Sequence, residues 1–498
     1  MTRIQYNNKK RPKQAIVDAR MNHTDEPKSK RPWQLLLKLA IVAVVATLCV
    51  KYTDSKGFFL SDQQNRHHER RWESFYRMTN QDTIDVVIIG SSHAFCGINP
   101  KNLSEALGCN CFVMAFNAST TPDAYYVLKE VLTRTTPKIV IFETYNLRNL
   151  HNHDLEPSTL SNQFRSFYPR QNIPIKLASM PVLFTPENYL LAWSSTLRNH
   201  EILFKNPEEI KENIKIQKEK ERPDTSLYLG RFVRFTSGIT DSILHVYDSL
   251  GPAIDGSQMD VSDEEILYAQ KIVDLCRSKN IQPIFLTIPS YYKNVKNAEI
   301  WTKNLNKAIE PTGAPWLNFQ FPYDTLLFDR DCFESTRASN QHMTYYGSLV
   351  ATYKLAHYIV DSLHVTLPDR SKDLHWHNMF YGEEGYFENY PARENDTTNI
   401  LICKNLTKNG ITIKDAMLQK GEDNNKLLVK VANNNSSDKT PNAKLRIMAK
   451  CNYQGREIVT WIDMYDTPPY RPIGHSLYSI SLLKEVELLE ILDLQWLP

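Results

Sequence analysis

The chain has 498 residues and a formal net charge of +3, from 59 Lys and Arg against 56 Asp and Glu. That length holds two or three domains and a sizeable core, and the near-neutral balance excludes a dedicated nucleic-acid binder. With 11% aromatic residues and only 16 glycines, low-complexity and collagen-like classes are excluded too.

Residues 1–32 are polar and basic, with Lys9, Lys10, Arg11, Lys13, Lys28, Lys30 and Arg31. They lack the apolar side chains a core needs and read as a disordered tail. Leu35–Val50 is apolar apart from Lys38, which can snorkel toward headgroups, and Trp33 suits an interface. No small-x-small cleavage site follows, so residues 33–52 read as an uncleaved transmembrane anchor rather than a signal peptide. The positive-inside rule then puts the tail in the cytoplasm and the bulk of the chain outside the membrane. Residues 53–82 read as a polar, partly helical stalk.

An α/β pattern begins next. Ile84–Gly90, Cys111–Ala118, Lys138–Glu143 and Pro283–Pro289 are short apolar runs of the kind that form buried parallel strands. A helix is expected over Pro122–Thr133, and another after the capping-box sequence Ser262-Asp263-Glu264-Glu265. Strands alternating with helices imply a doubly wound sandwich with a mostly parallel sheet. Residues 149–257 interrupt that pattern as an insertion, a candidate lid or wall, and contain a charged helical piece, Pro207–Glu221. Residues 369–399 read as a linker. From Ile400 onward, short β-type runs separated by Asn-, Gly- and Lys-rich turns predict a small β-sandwich over 400–498.

The candidate chemistry lies at two places. The first strand ends in Gly90-Ser91-Ser92-His93, at the edge of the sheet where open α/β folds bind ligands. Far downstream, Asn340-Gln341-His342-Met343-Thr344 precedes a helix with apolar side chains at Tyr346, Leu349, Val350, Tyr353, Ala356 and Val360, capped by Thr344. A histidine there can overhang the strand ends as a base for an exposed serine. His375-Trp376-His377 lacks a carboxylate or cysteine companion, so no metal is expected. No Walker loop or dinucleotide fingerprint occurs, and no cofactor is expected. Of the eight cysteines none forms a Cys-x-x-Cys pair, and Cys403 and Cys451 are candidates for a bridge.

The Gly90-Ser91-Ser92 block together with His342-Met343-Thr344-Tyr345-Tyr346-Gly347-Ser348 resembles the SGNH/GDSL hydrolase superfamily. It is most similar to the membrane-anchored, DltD-like branch that includes polysaccharide O-acetylation proteins. The resemblance spans about residues 83–368 and implies a three-layer α/β/α sandwich, with Ser92 as nucleophile and His342 as its base. The family places Asp three residues before the histidine, where this chain has Ser339. Asn340, Ser339, Asp329 and Asp331 are therefore the candidate supports for His342. Gly90, the turn Asn117-Ala118, Asn146 and His93 are candidates for the oxyanion hole or substrate contacts. The implied function is a serine esterase or O-acyltransferase, with acetyl the expected group and a cell-envelope glycan the expected acceptor. Its implied partner is a membrane-bound O-acyltransferase. The alternative, favoured by the missing aspartate, is a non-catalytic glycan-binding or assembly subunit.

Overall fold

The computed structural model describes residues 32–59, 67–80, 82–148, 157–220, 229–230, 238–324, 327–370, 399–420, 424–432, 444–453, 455–466 and 475–497. The basic tail, most of the expected linker and His375-Trp376-His377 lie outside them.

Helix α1 (Pro32–Ser55) is apolar on every side, with Leu35, Leu36, Leu39, Val42, Val45 and Leu48 all more than half exposed. A helix that is apolar all round and buries none of that surface in protein suits lipid. Its stretch Trp33–Ser55 has a mean hydropathy of 2.2 and is long enough to cross a bilayer.

Helix α2 (His67–Thr79) occupies the region expected to be a stalk, and it is part of the core instead. Trp72 and Phe75 are fully buried, and Trp72 Nε1 donates to Ser166 O at 2.9 Å. Arg71 is buried as well, donating through Nε to Gly230 O at 2.7 Å and through Nη1 to Ala115 O. The charges flanking Trp72, Phe75 and Tyr76 give the segment its polar character and conceal that this face is buried.

The parallel sheet begins with β1 (Val86–Gly90), followed by α3 (Ser92–Gly97), α4 (Pro100–Leu107), β2 (Cys111–Ala115), α5 (Thr121–Val131) and β3 (Ile139–Glu143). The insertion then supplies α6 (Pro157–Phe167), α7 (Ile173–Leu183), α8 (Tyr189–Trp193), α9 (Ser195–Asn199), α10 (Ile202–Lys205), α11 (Pro207–Lys220) and α12 (Asp241–Leu250). After a short β4 (Ile254–Asp255) come α13 (Asp263–Arg277), β5 (Gln282–Thr287), β6 (Val295–Lys296, paired with β4), α14 (Ala298–Ile309), β7 (Trp316–Asn318) and α15 (Tyr345–Ser362). The capping box at Ser262 and Glu265 and the Thr344 cap form as expected, the latter accepting from Gly347 N at 3.1 Å.

The strand order is β2-β1-β3-β5-β7, all parallel. Alternate residues of each strand face opposite layers. Val86, Ile88, Ile139 and Ile141 pack with α3, α4 and α15, whereas Val87, Ile89, Val140 and Phe142 pack with α2, α5, α13 and α14. Both faces are therefore covered, which is why the strands read as unbroken apolar runs. The chain order reverses direction between β1 and β3, and such a switch point opens a crevice beyond the strand ends.

Helices α6 to α9 gather around Phe164, Phe167, Leu183, Phe184 and Ala192, beside α5 and the end of α1. Helix α12 reaches the loop before α15 through Tyr247, whose Oη donates to Thr336 O at 2.8 Å. The C-terminal part has seven antiparallel strands: β8 (Asn399–Lys408), β9 (Ile411–Gln419), β10 (Asn424–Ala432), β11 (Lys444–Tyr453), β12 (Arg456–Asp466), β13 (His475–Leu483) and β14 (Val486–Leu497). They form the expected antiparallel β-rich region, linked in the order β14-β11-β12-β13-β10-β9-β8. The continuity rests on a short join, Tyr465↔Ser479 and Asp466↔Tyr478, and one apolar core is shared across it. Cys403 and Cys451 are free thiols, so the candidate bridge is absent.

Candidate active site

Strand β1 delivers Gly90 with φ +138°, a conformation that favours glycine. A Cβ at Gly90 would also stand 2.8 Å from Glu143 Cβ and 2.9 Å from Glu143 O. The turn beyond it is anchored by that same glutamate. Ser91 Oγ donates to Glu143 Oε2 at 2.6 Å and accepts from His93 N at 3.2 Å, while Tyr145 N donates to Glu143 Oε1 at 2.6 Å. Ser92 is the first residue of α3 and half-buried, so its N–H has no partner within the helix.

Its hydroxyl meets a residue 250 positions away: Ser92 Oγ lies 2.8 Å from His342 Nε2. On the other side of the ring, His342 Nδ1 is 3.5 Å from Glu334 Oε2. Both side chains are almost wholly buried, and the separation is at the long edge of hydrogen bonding, as unliganded catalytic contacts often are. A two-stranded contact holds the pair together. Phe333 and Met343 form an antiparallel bridge, Glu334 N donates to His342 O at 3.1 Å, and His342 N donates to Glu334 Oε2 at 3.3 Å.

Buried Gln341 braces this loop. Its Oε1 accepts from Tyr291 N at 2.9 Å, and its Nε2 donates to Tyr247 Oη and Glu334 O, both at 2.9 Å. At the start of α15, a Cβ on Gly347 would fall 2.1 Å from Cys332 O, so only glycine lets the helix pack this closely.

The carboxylate beside His342 is thus Glu334, and the four expected supports have other placements. Ser339 and Asn340 are exposed, with Ser339 O accepting from Tyr145 Oη. Asp329 Oδ1 accepts from Asp331 N at 2.9 Å, and Asp331 O accepts from the Thr344 hydroxyl at 2.7 Å. An antiparallel bridge brings Glu334 to His342 here, and spacing along the chain gives no sign of it. The available signal was a third carboxylate in the segment before His342, in Cys332-Phe333-Glu334.

Among the candidate oxyanion and substrate residues, the Asn117 N–H is engaged by His68 Nε2 at 3.3 Å, and Asn146 Nδ2 donates to Ser119 O at 3.0 Å. Gly90 O accepts from Phe116 N at 3.0 Å, and Ala118 adopts φ +50° in the same turn. The donor built into the turn after β1 is the Ser92 N–H. His93 is buried, its ring stacked on Tyr145 at 3.5 Å and 4.9 Å from the His342 ring. Burial holds its pKa well below the ordinary value, and the nearby His342 and Arg148 push the same way. His93 therefore stays neutral beside His342. Arg148 also lies over Tyr145, with its Cζ 4.9 Å from the ring centre.

A serine hydroxyl hydrogen-bonded to an imidazole that is backed by a buried carboxylate is suited to nucleophilic acyl transfer. Among the described residues no cluster of three or more His, Cys, Asp or Glu could hold a metal ion. Neither the protein-family models nor the curated proteins contain a match to this chain.

Proposed function

We propose that this protein is a membrane-anchored serine esterase or O-acyltransferase of the SGNH type, acting outside the cytoplasm on a cell-envelope glycan. The observation that carries the reading is the 2.8 Å contact between Ser92 Oγ and His342 Nε2, with Glu334 behind the ring. Ser92 Oγ attacks the ester carbonyl while His342 Nε2 takes its proton, and the Ser92 N–H faces the developing oxyanion. His342 then returns the proton to the departing alkoxide, leaving an acyl-serine. An incoming sugar hydroxyl or water, deprotonated by His342, releases the acyl group and restores the enzyme. The acetyl group, the glycan and a membrane-bound O-acyltransferase partner rest on the family resemblance; the absence of an aspartate at position 339, which favoured a non-catalytic subunit, is offset by Glu334.

The test is intact-mass labelling of the full-length protein in detergent with a serine-reactive fluorophosphonate, alongside Ser92→Ala and His342→Ala. One adduct on the wild type, lost in both variants, is expected. A folded wild type that takes no adduct would overturn the enzymatic reading.

A further inference from the structure

The C-terminal end of α1 is gripped by the insertion. Asp54 Oδ1 accepts from Thr196 N at 2.7 Å and from the Thr196 and Ser195 hydroxyls at 2.6 and 2.9 Å. Thr53 Oγ1 lies 2.8 Å from Thr196 Oγ1, and Asn199 Nδ2 donates to Phe59 O at 2.9 Å. The apolar run of α1 ends at Val50, so Asp54 stands about 6 Å beyond it at 1.5 Å per residue, at headgroup level if α1 spans the bilayer. Helix α9, which holds Asp54, is therefore tied to the membrane–water boundary.

The helices on either side of α9 expose large apolar side chains. Leu190 on α8 is 69% exposed, and Leu203 and Phe204 on α10 are 50% and 80% exposed. Among the described residues no large apolar side chain is more exposed than Phe204. The chain from Thr196 to Phe204 is helix and turn throughout, which limits their separation to about 12 Å at the helical rise. Consecutive exposed Leu and Phe on a four-residue helix are costly in water and suited to an interface. The tether therefore keeps Leu203 and Phe204 close to the end of α1.

We propose that α8 and α10 seat Leu190, Leu203 and Phe204 in the leaflet from which α1 emerges, so that the insertion rests on the lipid surface. This rests on the reading of α1 as a membrane span. The occupant is the bilayer itself, because the hydrogen bonds to Thr53 and Asp54 leave the insertion beside the lipid that surrounds α1.

The test uses the full chain in phosphatidylcholine/phosphatidylglycerol nanodiscs, with single nitrobenzoxadiazole-labelled cysteines and lipids spin-labelled near the headgroup. Cys49 and Cys403 are the cysteines outside the buried class, so Cys49→Ala and Cys403→Ser clear the background for Phe204→Cys. Native Cys49, kept in the Cys403→Ser chain, reports the span; Leu267→Cys on α13, a residue 51% exposed, reports solvent. The expected result is fluorescence at position 204 falling roughly two-fold or more with the spin-labelled lipid, as a lipid-seated side chain requires, while position 267 is unchanged. Quenching at Cys49 with none at 204 would overturn the docking and leave the span intact. A probe at 204 that is blue-shifted but unquenched would assign the patch to a second copy or another protein, which also overturns it. No quenching at Cys49 would remove the span, and the docking with it.

Discussion

Glu334 is the residue whose removal separates geometry from charge. Its carboxylate is buried against His342 Nδ1 and can offset the positive charge that the imidazole gains when it takes the Ser92 proton. Glu334→Gln keeps the size and an acceptor oxygen but removes that charge. The fluorophosphonate labelling rate of this variant is expected to fall by about 10²–10⁴-fold, with the adduct still on Ser92. A rate within a factor of about three of wild type would show that the carboxylate does not support the base. Replacing Ser339 or Asn340, both exposed, is the contrasting control.

At the scale of elements, the ends of β1 and β3 meet through one buried glutamate. Burial pushes the Glu143 carboxyl up to about 7 from 4.5, against the lowering effect of the bonds from Ser91 and Tyr145. Between those two values the folded protein holds a proton that the unfolded chain releases, so this group makes stability fall as pH rises from about 4.5 to 7. At about 1.4 kcal/mol per pH unit the loss is on the order of 3 kcal/mol. Urea denaturation at pH 5 and pH 8 is expected to show that loss in the wild type and its absence in Glu143→Gln. An identical pH response in both would place the titration elsewhere.

The same junction shows what the amino-acid order reveals. Strands β1, β2, β3 and β5 were legible to within a few residues because each is buried on both faces and so is a run of apolar side chains. Helices α13 and α15 were legible from their caps, which are local. Ser92 and His342 were legible because each sits at the end of such an element. Glu334 was not, since a bridge between Phe333 and Met343 leaves no periodicity. The burial of α2, read only as part of a polar, partly helical stalk, was not legible because charged neighbours lowered its apparent apolarity. Strands β13 and β14 mix apolar and polar residues, as strands with one solvated face do, so their bounds are weakly marked in the sequence.

Across the whole molecule, the C-terminal sheet is joined to the α/β layer by two cross-strand neighbours. Met417 and Leu428 pair in register, and both belong to the core that holds α3, α4 and α15. Their sequence neighbours Ala416, Leu418, Leu427 and Val429 point the other way, into the sheet's own core. Leu428→Asp would bury an unpaired charge at the junction, at a cost of about 3 kcal/mol or more. Thermal melting is expected to split into two transitions while the Ser92 adduct still forms. One unshifted transition would show that this contact does not couple the two parts. At the other end of the molecule, the bonds from α9 to Asp54 hold the insertion beside α1, so the parallel sheet lies between two attachments.

The bridge between Phe333 and Met343 has a consequence for how the site can vary. His342 and Glu334 ride on one short loop, braced by Gln341 and ended by the close fit of Gly347 under Cys332. Ser92 arrives separately on β1. His342 and Glu334 therefore shift together, so a movement of this loop preserves their contact with each other while changing the distance to Ser92. The 2.8 Å contact between Ser92 Oγ and His342 Nε2 is where any such displacement is felt first.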